Sequence, residues 1–297
     1  MTAIPRQTPD KDRRAALAVG LMVIVALFQA VDAVIVRQLS PQVHPFTIGF
    51  ARALFGLLLV LPWMVTRKGI LTSSYRFRHV LRAALKLAAL VAYFFAFALA
   101  PLADVTAIAF TAPIFVTLGS WLLLGEKPRL LRIIAVVVGF AGVMIVLRPG
   151  QTGIPEGLLY AILGALLTAV IQLILKPMSA RDSTETLVAW NLIVTVPLAA
   201  IPLIWFWTAP TPFEWLLLAI QGALGALSMA FVTHAFSLAE ATLIAPLDFL
   251  RLPMVAGAAW LVFGQAVPVT TWIGGVVIFA ATLLMARSAR TRTVTAP

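Results

Sequence analysis

The sequence predicts an all-α integral membrane protein. Ten transmembrane helices form two inverted five-helix repeats, with both the N-terminus and the C-terminus cytoplasmic. Three observations predict this: a composition too apolar for a water-exposed surface, ten apolar runs of near-spanning length, and a pattern that recurs 139 positions along the 297 residues.

Of the residues, 62% are hydrophobic and 11% charged. Soluble domains average roughly 45–50% and 25%, so there are too few charges here to cover a globule. A bilayer removes the problem, because its core accepts apolar side chains on every face of a helix. The net charge of +11 does not mark a nucleic-acid binder. The basic residues sit in tails and short connections rather than on a polar module, so no nucleic-acid partner is expected. With no Cys and only His44, His79 and His234, no disulfide framework or metal site is predicted, and no cofactor is expected.

The apolar segments run over 15–36, 46–65, 79–100, 105–124, 133–147, 157–175, 187–207, 215–238, 242–263 and 272–286. A helix needs about 20 residues to cross. Segment 1 is too long for a signal-peptide core and is read as a retained helix. Strands are excluded because a barrel needs short alternating runs. With the N-terminus inside, the inside connections hold sixteen Lys and Arg, while the outside ones hold only Arg37 and Arg148. That asymmetry places both termini in the cytoplasm. The division is therefore a tail over 1–14, one repeat over 15–148, a second, inverted repeat over 149–286, and a tail over 287–297.

A shift of 139 residues sets Trp121, Leu122 and Gly125 on Trp260, Leu261 and Gly264. It also sets Ile134, Phe140 and Arg148 on Ile273, Phe279 and Arg287, and Ala96, Phe97 and Ala100 on Ala235, Phe236 and Ala239. Five crossings per copy is an odd number, so the second copy enters the membrane upside down. Such repeats recur in secondary transporters, with the substrate between the halves near the midplane.

These residues carry a resemblance. Five plus five helices, a short basic N-terminus, and the block Ala112-Pro113-Ile114-Phe115 followed by Leu124-Gly125-Glu126-Lys127-Pro128 resemble the ten-helix EamA-type exporters of the drug/metabolite transporter superfamily. The resemblance spans essentially the whole chain. It implies export of metabolites, amino acids or drugs across a bacterial inner membrane. The second half departs from it, with Gly264-Gln265-Ala266-Val267 in place of Gly-Glu-Lys-Pro.

Polar groups inside hydrocarbon nominate the site, since each ionisable one costs about 2.5–3.5 kcal/mol or more. Asp32 and Arg52 fall at similar depths, as a gate or a static ion pair. Arg52 takes the repeat position of Asn191. Asp248 and Arg251, at i and i+3, can neutralise each other in a segment bracketed by Pro246 and Pro253. Lys86 shares a face with Arg82 and is read as snorkelling to the interface. Tyr93, Phe94 and Trp190 offer aromatic walls. Thr111, Phe115, Gln172, Asn191, Gln221 and His234 complete the candidate lining.

The function expected is a secondary or facilitated exporter of small amphipathic metabolites, amino acids first, working by alternating access as a monomer or homodimer, with possible proton coupling. Efflux of cationic drugs is the alternative within the class. An intramembrane lipid-modifying enzyme is the alternative outside it, and no triad or metal motif supports that. No P-loop is present for a primary pump.

Overall fold

The computed structural model describes residues 9–67, 69–73, 75–124, 130–148, 154–178, 181–239 and 244–290. The Gly-Glu-Lys-Pro turn, Gly125 to Pro128, lies outside them. Among the described residues all regular structure is helical. The first half holds α1 (Pro9–Leu39), α2 (Pro45–Val65), α3 (Arg76–Leu99), α4 (Leu102–Ala109), α5 (Ala112–Leu124) and α6 (Leu130–Leu147). The second holds α7 (Glu156–Met178), α8 (Thr184–Ala200), α9 (Leu203–Phe206), α10 (Pro212–Leu238), a 3-10 segment (Ala245–Leu250), α11 (Arg251–Phe263) and α12 (Val269–Arg290). Among the described residues six helical spans are long and apolar enough to cross a membrane, and three shorter apolar helices accompany them.

The burial pattern suits lipid. Many of the buried positions are alanines, such as Ala26, Ala30, Ala33, Ala51, Ala83, Ala161 and Ala165, whereas Leu58, Leu122, Val137, Leu216, Leu261 and Val276 point outward. Apolar side chains gain little from leaving lipid, so small residues that let backbones approach decide which faces meet. The pairing of α6 with α12 shows this. A Cβ on Gly142 would stand 3.0 Å from the Gly274 carbonyl oxygen, and one on Gly274 would stand 2.8 Å from that of Gly142.

Packing between the halves comes in couples related by the 139-residue shift. α3 lies along α7 as α1 lies along α10, and α2 meets α10 as α3 meets α8. Phe110 and Phe249, which the shift superposes, stack on each other with centroids 4.1 Å apart and an interplanar angle of 21°. Equivalent residues touch only close to an axis relating the two halves, so this stack marks the seam. α1 begins beside the end of α10, where Ala18 and Met22 pack with Ala235 and Ile244. α7 begins where α3 finishes, with Gly157 against Ala100. The halves therefore start at opposite ends of the bundle.

Prolines break two of the predicted segments at matching places. Segment 4 is two helices, α4 and α5, parted at Phe110 and Thr111. The ring of Pro113 clashes with the carbonyl four residues back, at Ala109, where α4 stops. Segment 9 is a 3-10 turn that becomes α11 at Arg251, two residues before Pro253. Segment 7 ends early for the same reason, with α8 closing at Ala200 ahead of Pro202.

The two ends differ. Arg67, Arg76, Arg78 and Arg181 gather at what we call the basic end. There the Asp182 carboxylate accepts from Ser73 Oγ at 2.7 Å and stands 2.8 Å from His79 Nε2. At the opposite end the His44 N–H donates to Thr208 Oγ1 at 3.0 Å, and the imidazole Nδ1 caps α2 by accepting from the Phe46 N–H at 3.3 Å. The His44 ring stacks on Phe206 at 4.8 Å. Burial holds it below its usual pKa, in the neutral form that the cap needs.

Two outcomes follow. Gly142→Leu or Gly274→Leu destabilises the protein by about 1–3 kcal/mol through overpacking. Gly257→Leu, with nothing near its missing Cβ, leaves the melting temperature in detergent within a degree or so of wild type. The depressed pKa of His44 means that the unfolded chain takes up a proton there first. Its contribution is therefore intact above roughly pH 6.5 and is lost as pH falls below that. A melting series from pH 7.5 to 5 should slope less steeply for His44→Asn, which keeps a cap without titrating. An unchanged slope removes His44 from the account.

Candidate functional site

A cavity of about 950 Å³ lies between α2, α3, α8 and α10. Its wall runs from Arg52, Lys86 and Gly222 outward to Trp63, Glu185 and Ser237 at the basic end. Lys86 follows Arg76 by ten residues, or about 15 Å along α3, which is mid-depth in a hydrocarbon core of roughly 30 Å. The lining is mostly aliphatic, with Leu59, Val60, Leu87, Leu90, Val188 and Leu192, and it is interrupted by Asn191, Thr195, Thr233 and His234. An amphipathic small molecule fits such a wall: a largely apolar surface with a few polar groups that fix orientation.

Arg52 is the cavity's innermost charge. It donates to the Asp32 carboxylate on α1, and the two side chains are 21% and 17% exposed. Gly225 makes room for it, since a Cβ there would stand 2.9 Å from Arg52 Nη2. Gln221 is fully buried beside this pair and interacts with the Asp32 carboxylate. Deeper in the seam, Arg251 Nη1 donates to Gln29 Oε1 at 2.9 Å, and its guanidinium lies 4.8 Å from the Phe110 ring centroid. The positive charge of Arg251 reaches both Asp32 and Tyr93. Asp32, Arg52, Gln29 and Arg251 thus form a polar path from the cavity to the Phe110–Phe249 stack.

The opposite end is held by a second cluster. Arg148 Nη2 stands 3.3 Å from the Asp104 carboxylate and 3.1 Å from Thr271 Oγ1, and Thr271 donates to Asp104. This joins α4 and the end of α6 to the start of α12. Arg148 takes a left-handed backbone conformation, φ 48°, which is strained for a residue with a Cβ. Gln265 Oε1 accepts from the Leu102 N–H at 3.4 Å and adds another tie between the halves.

The residues nominated from sequence divide accordingly. Arg52, Asn191 and His234 line the cavity. Asp32, Gln221 and Arg251 stand behind it in the polar path. Tyr93 packs on Gly164, where a Cβ would meet its ring at 2.9 Å, and Phe94 is buried in the core. Thr111 is buried and returns its hydroxyl to the Ile108 carbonyl at 2.7 Å. Phe115 meets Phe140 edge-on at 5.9 Å. Gln172 lies on an exposed face of α7. Trp190 stacks on His79 at 5.1 Å and donates to the Leu71 carbonyl at 3.1 Å, so it braces the basic end.

Asp248 and Arg251 form no ion pair among the described residues. Arg251 takes partners on α1 and at the α4–α5 break, and tertiary contact overrides the i, i+3 spacing. Lys86 is a cavity residue that sequence reasoning assigned to the interface. The signal was its depth, hidden because α3 begins at Arg76 rather than at residue 79. Asp104 and Thr271 gave no sequence signal, being single polar residues at segment starts.

The model of the EamA-like transporter family matches residues 16–148 and 155–287. An S-adenosylmethionine uptake transporter of Rickettsia bellii is 29% identical over 91% of this chain and 93% of its own. A riboflavin transporter of Rhizobium johnstonii is 32% identical over 79% and 78%, and a pseudopaline exporter of Pseudomonas aeruginosa is 32% identical over 90% and 95%. A solved crystal structure, 21% identical, superposes with a TM-score of 0.59 over 95% of this chain and 98% of its own, and so shares the fold. The chain belongs to the EamA-like transporter family of the drug/metabolite transporter superfamily, as a multi-pass bacterial inner-membrane protein that transports small molecules.

Proposed function

We propose that this chain is a secondary or facilitated exporter of small amphipathic metabolites, amino acids foremost, that works by alternating access. The observation that carries the reading is the cavity. It lies where α2 and α3 of one half meet α8 and α10 of the other, and it reaches from mid-depth to one end only. The Asp32–Arg52 pair stops it on the inside, and the Asp104–Arg148–Thr271 cluster ties the far end.

On this reading the basic end faces the cytoplasm, as the Lys and Arg asymmetry argues. Residues 15–148 and 149–286 are the two inverted repeats that rock about the Phe110–Phe249 stack. Residues 1–14 and 287–297 are cytoplasmic tails. A cavity open to the cytoplasm is one of the two states that alternating access requires, and export is supported by the likeness to the pseudopaline exporter. Release at the far side requires the two polar ties to part. Asp32 is then the group that can trade Arg52 for a proton. Cationic drugs suit the cavity less, because its inner wall carries Arg52 and Lys86.

The chain has no Cys, so single reporters are clean. Thr72→Cys should react with an impermeant maleimide in inside-out vesicles alone, and Ala209→Cys in right-side-out vesicles alone; the reverse pattern inverts the orientation. In proteoliposomes, the wild type should exchange a labelled amino acid across the membrane. Asp32→Asn should slow that exchange at least tenfold and flatten its dependence on pH between 5 and 8. The absence of counterflow for the twenty amino acids would overturn the substrate reading. A double variant Asp32→Asn/Arg52→Gln with wild-type flux would remove the pair from the mechanism.

A further inference from the structure

The two sides of the seam are not equivalent in charge, and the difference points to a ligand. The 139-residue shift superposes Arg52 on Asn191, Lys86 on Gly225, and Asp32 on Ile171. On one side Arg52 packs against Gly225 and is neutralised by Asp32. The related side has Asn191 where Arg52 stood, Lys86 where Gly225 stood, and the apolar Ile171 in place of the acid. Lys86 and Asn191 thus take the repeat positions of Gly225 and Arg52, and both line the cavity.

Lys86 has no acidic partner among the described residues. The charges that act on it are Arg82 and Arg52, both cations. Arg82, one turn back, is itself occupied in donating to the Leu187 carbonyl. Glu185, the acid of the cavity mouth, faces Arg67 at 3.8 Å. Asn191 is 4% exposed, and its amide oxygen has no hydrogen-bond partner. An uncompensated ammonium at mid-depth is costly unless an anion joins it. A polar side chain this deeply buried and unsatisfied is uncommon outside sites that bind something.

We infer that Lys86, with Asn191 lining the same cavity, is the anchor for a single carboxylate on the transported molecule, whose apolar body lies along the cavity's aliphatic wall. The inference rests on the transport reading above and names the substrate's charge class. Among the described residues that line the cavity, Lys86 is a cation without an acid, which matches one negative charge. A dianion such as a phosphate monoester would need a second, and Arg52 is already held by Asp32.

Three probes sharing one ring separate the possibilities: 3-phenylpropionate, which has only the carboxylate, phenethylamine, which has only the ammonium, and phenylalanine, which has both. Binding is measured by calorimetry on the full chain in nanodiscs of neutral lipid. The expected result is binding of 3-phenylpropionate and phenylalanine but not phenethylamine. Lys86→Met should weaken binding at least tenfold, and Lys86→Arg should retain it within about threefold. Thermal melts of each variant establish that it is folded. Preference for phenethylamine, equal binding by Lys86→Met, or binding of none of the three overturns the inference. So does competition by phosphatidylglycerol in the discs that abolishes the signal, which would assign Lys86 to a lipid headgroup. Counterflow of phenylalanine that persists unchanged in Lys86→Met would leave the transport reading standing while this inference fails. Loss of all flux in the wild type would sink the transport reading, whatever calorimetry shows.

Discussion

Hydrocarbon offers no hydrogen bonds, and this constraint shapes the molecule. Every buried backbone and charged group must find its partner within the chain or in the transported molecule. The structure meets the demand mostly by continuous helix, and where helix fails it does so in concert. Pro113 and Pro253 interrupt the two halves at corresponding places. The interruptions meet across Phe110 and Phe249, and Arg251 and Gln29 bond each other beside that stack. Non-helical backbone at membrane depth is tolerable there because it is enclosed by protein.

Around that seam, some of the described charges are matched by an opposite charge, while others, Arg251 and Lys86 among them, are not. Asp32 with Arg52 and Asp104 with Arg148 are ties between elements. Ties of this kind hold one conformation while closed and cost little to reform elsewhere if water or substrate enters. Lys86 has no such tie. A transporter must bind its cargo at a place that both sides of the membrane can reach in turn, and the midplane cavity between related halves satisfies that condition.

Much of this architecture was legible in the sequence, because bilayer physics acts on length, composition and charge placement. The segments, the repeat offset and the proximity of Asp32 and Arg52 in depth all follow from counting. Detail was lost wherever tertiary contact outweighed local spacing. Asp248 and Arg251 have a helical spacing, yet the reach of Arg251 to Gln29 on α1 draws it away. Trp190 looked like a cavity wall, but stacking on His79 draws it to the basic end. Lys86 looked interfacial because the polar start of α3, Arg76 to Arg78, hid three residues of helix. Asp104 and Thr271 acquire meaning only through Arg148, more than forty residues from one and more than a hundred from the other.

The central claim is that the two halves rock about the Phe110–Phe249 stack, closing one end as the other opens. Spin labels on a Cys-free chain test it by electron–electron distance measurement. Trp63→Cys with Ser237→Cys spans the mouth of the cavity, and Gln42→Cys with Ala209→Cys spans the opposite end. Saturating substrate should shorten the first distance and lengthen the second by several ångströms. Distances that stay fixed, or that lengthen or shorten together, would contradict the account.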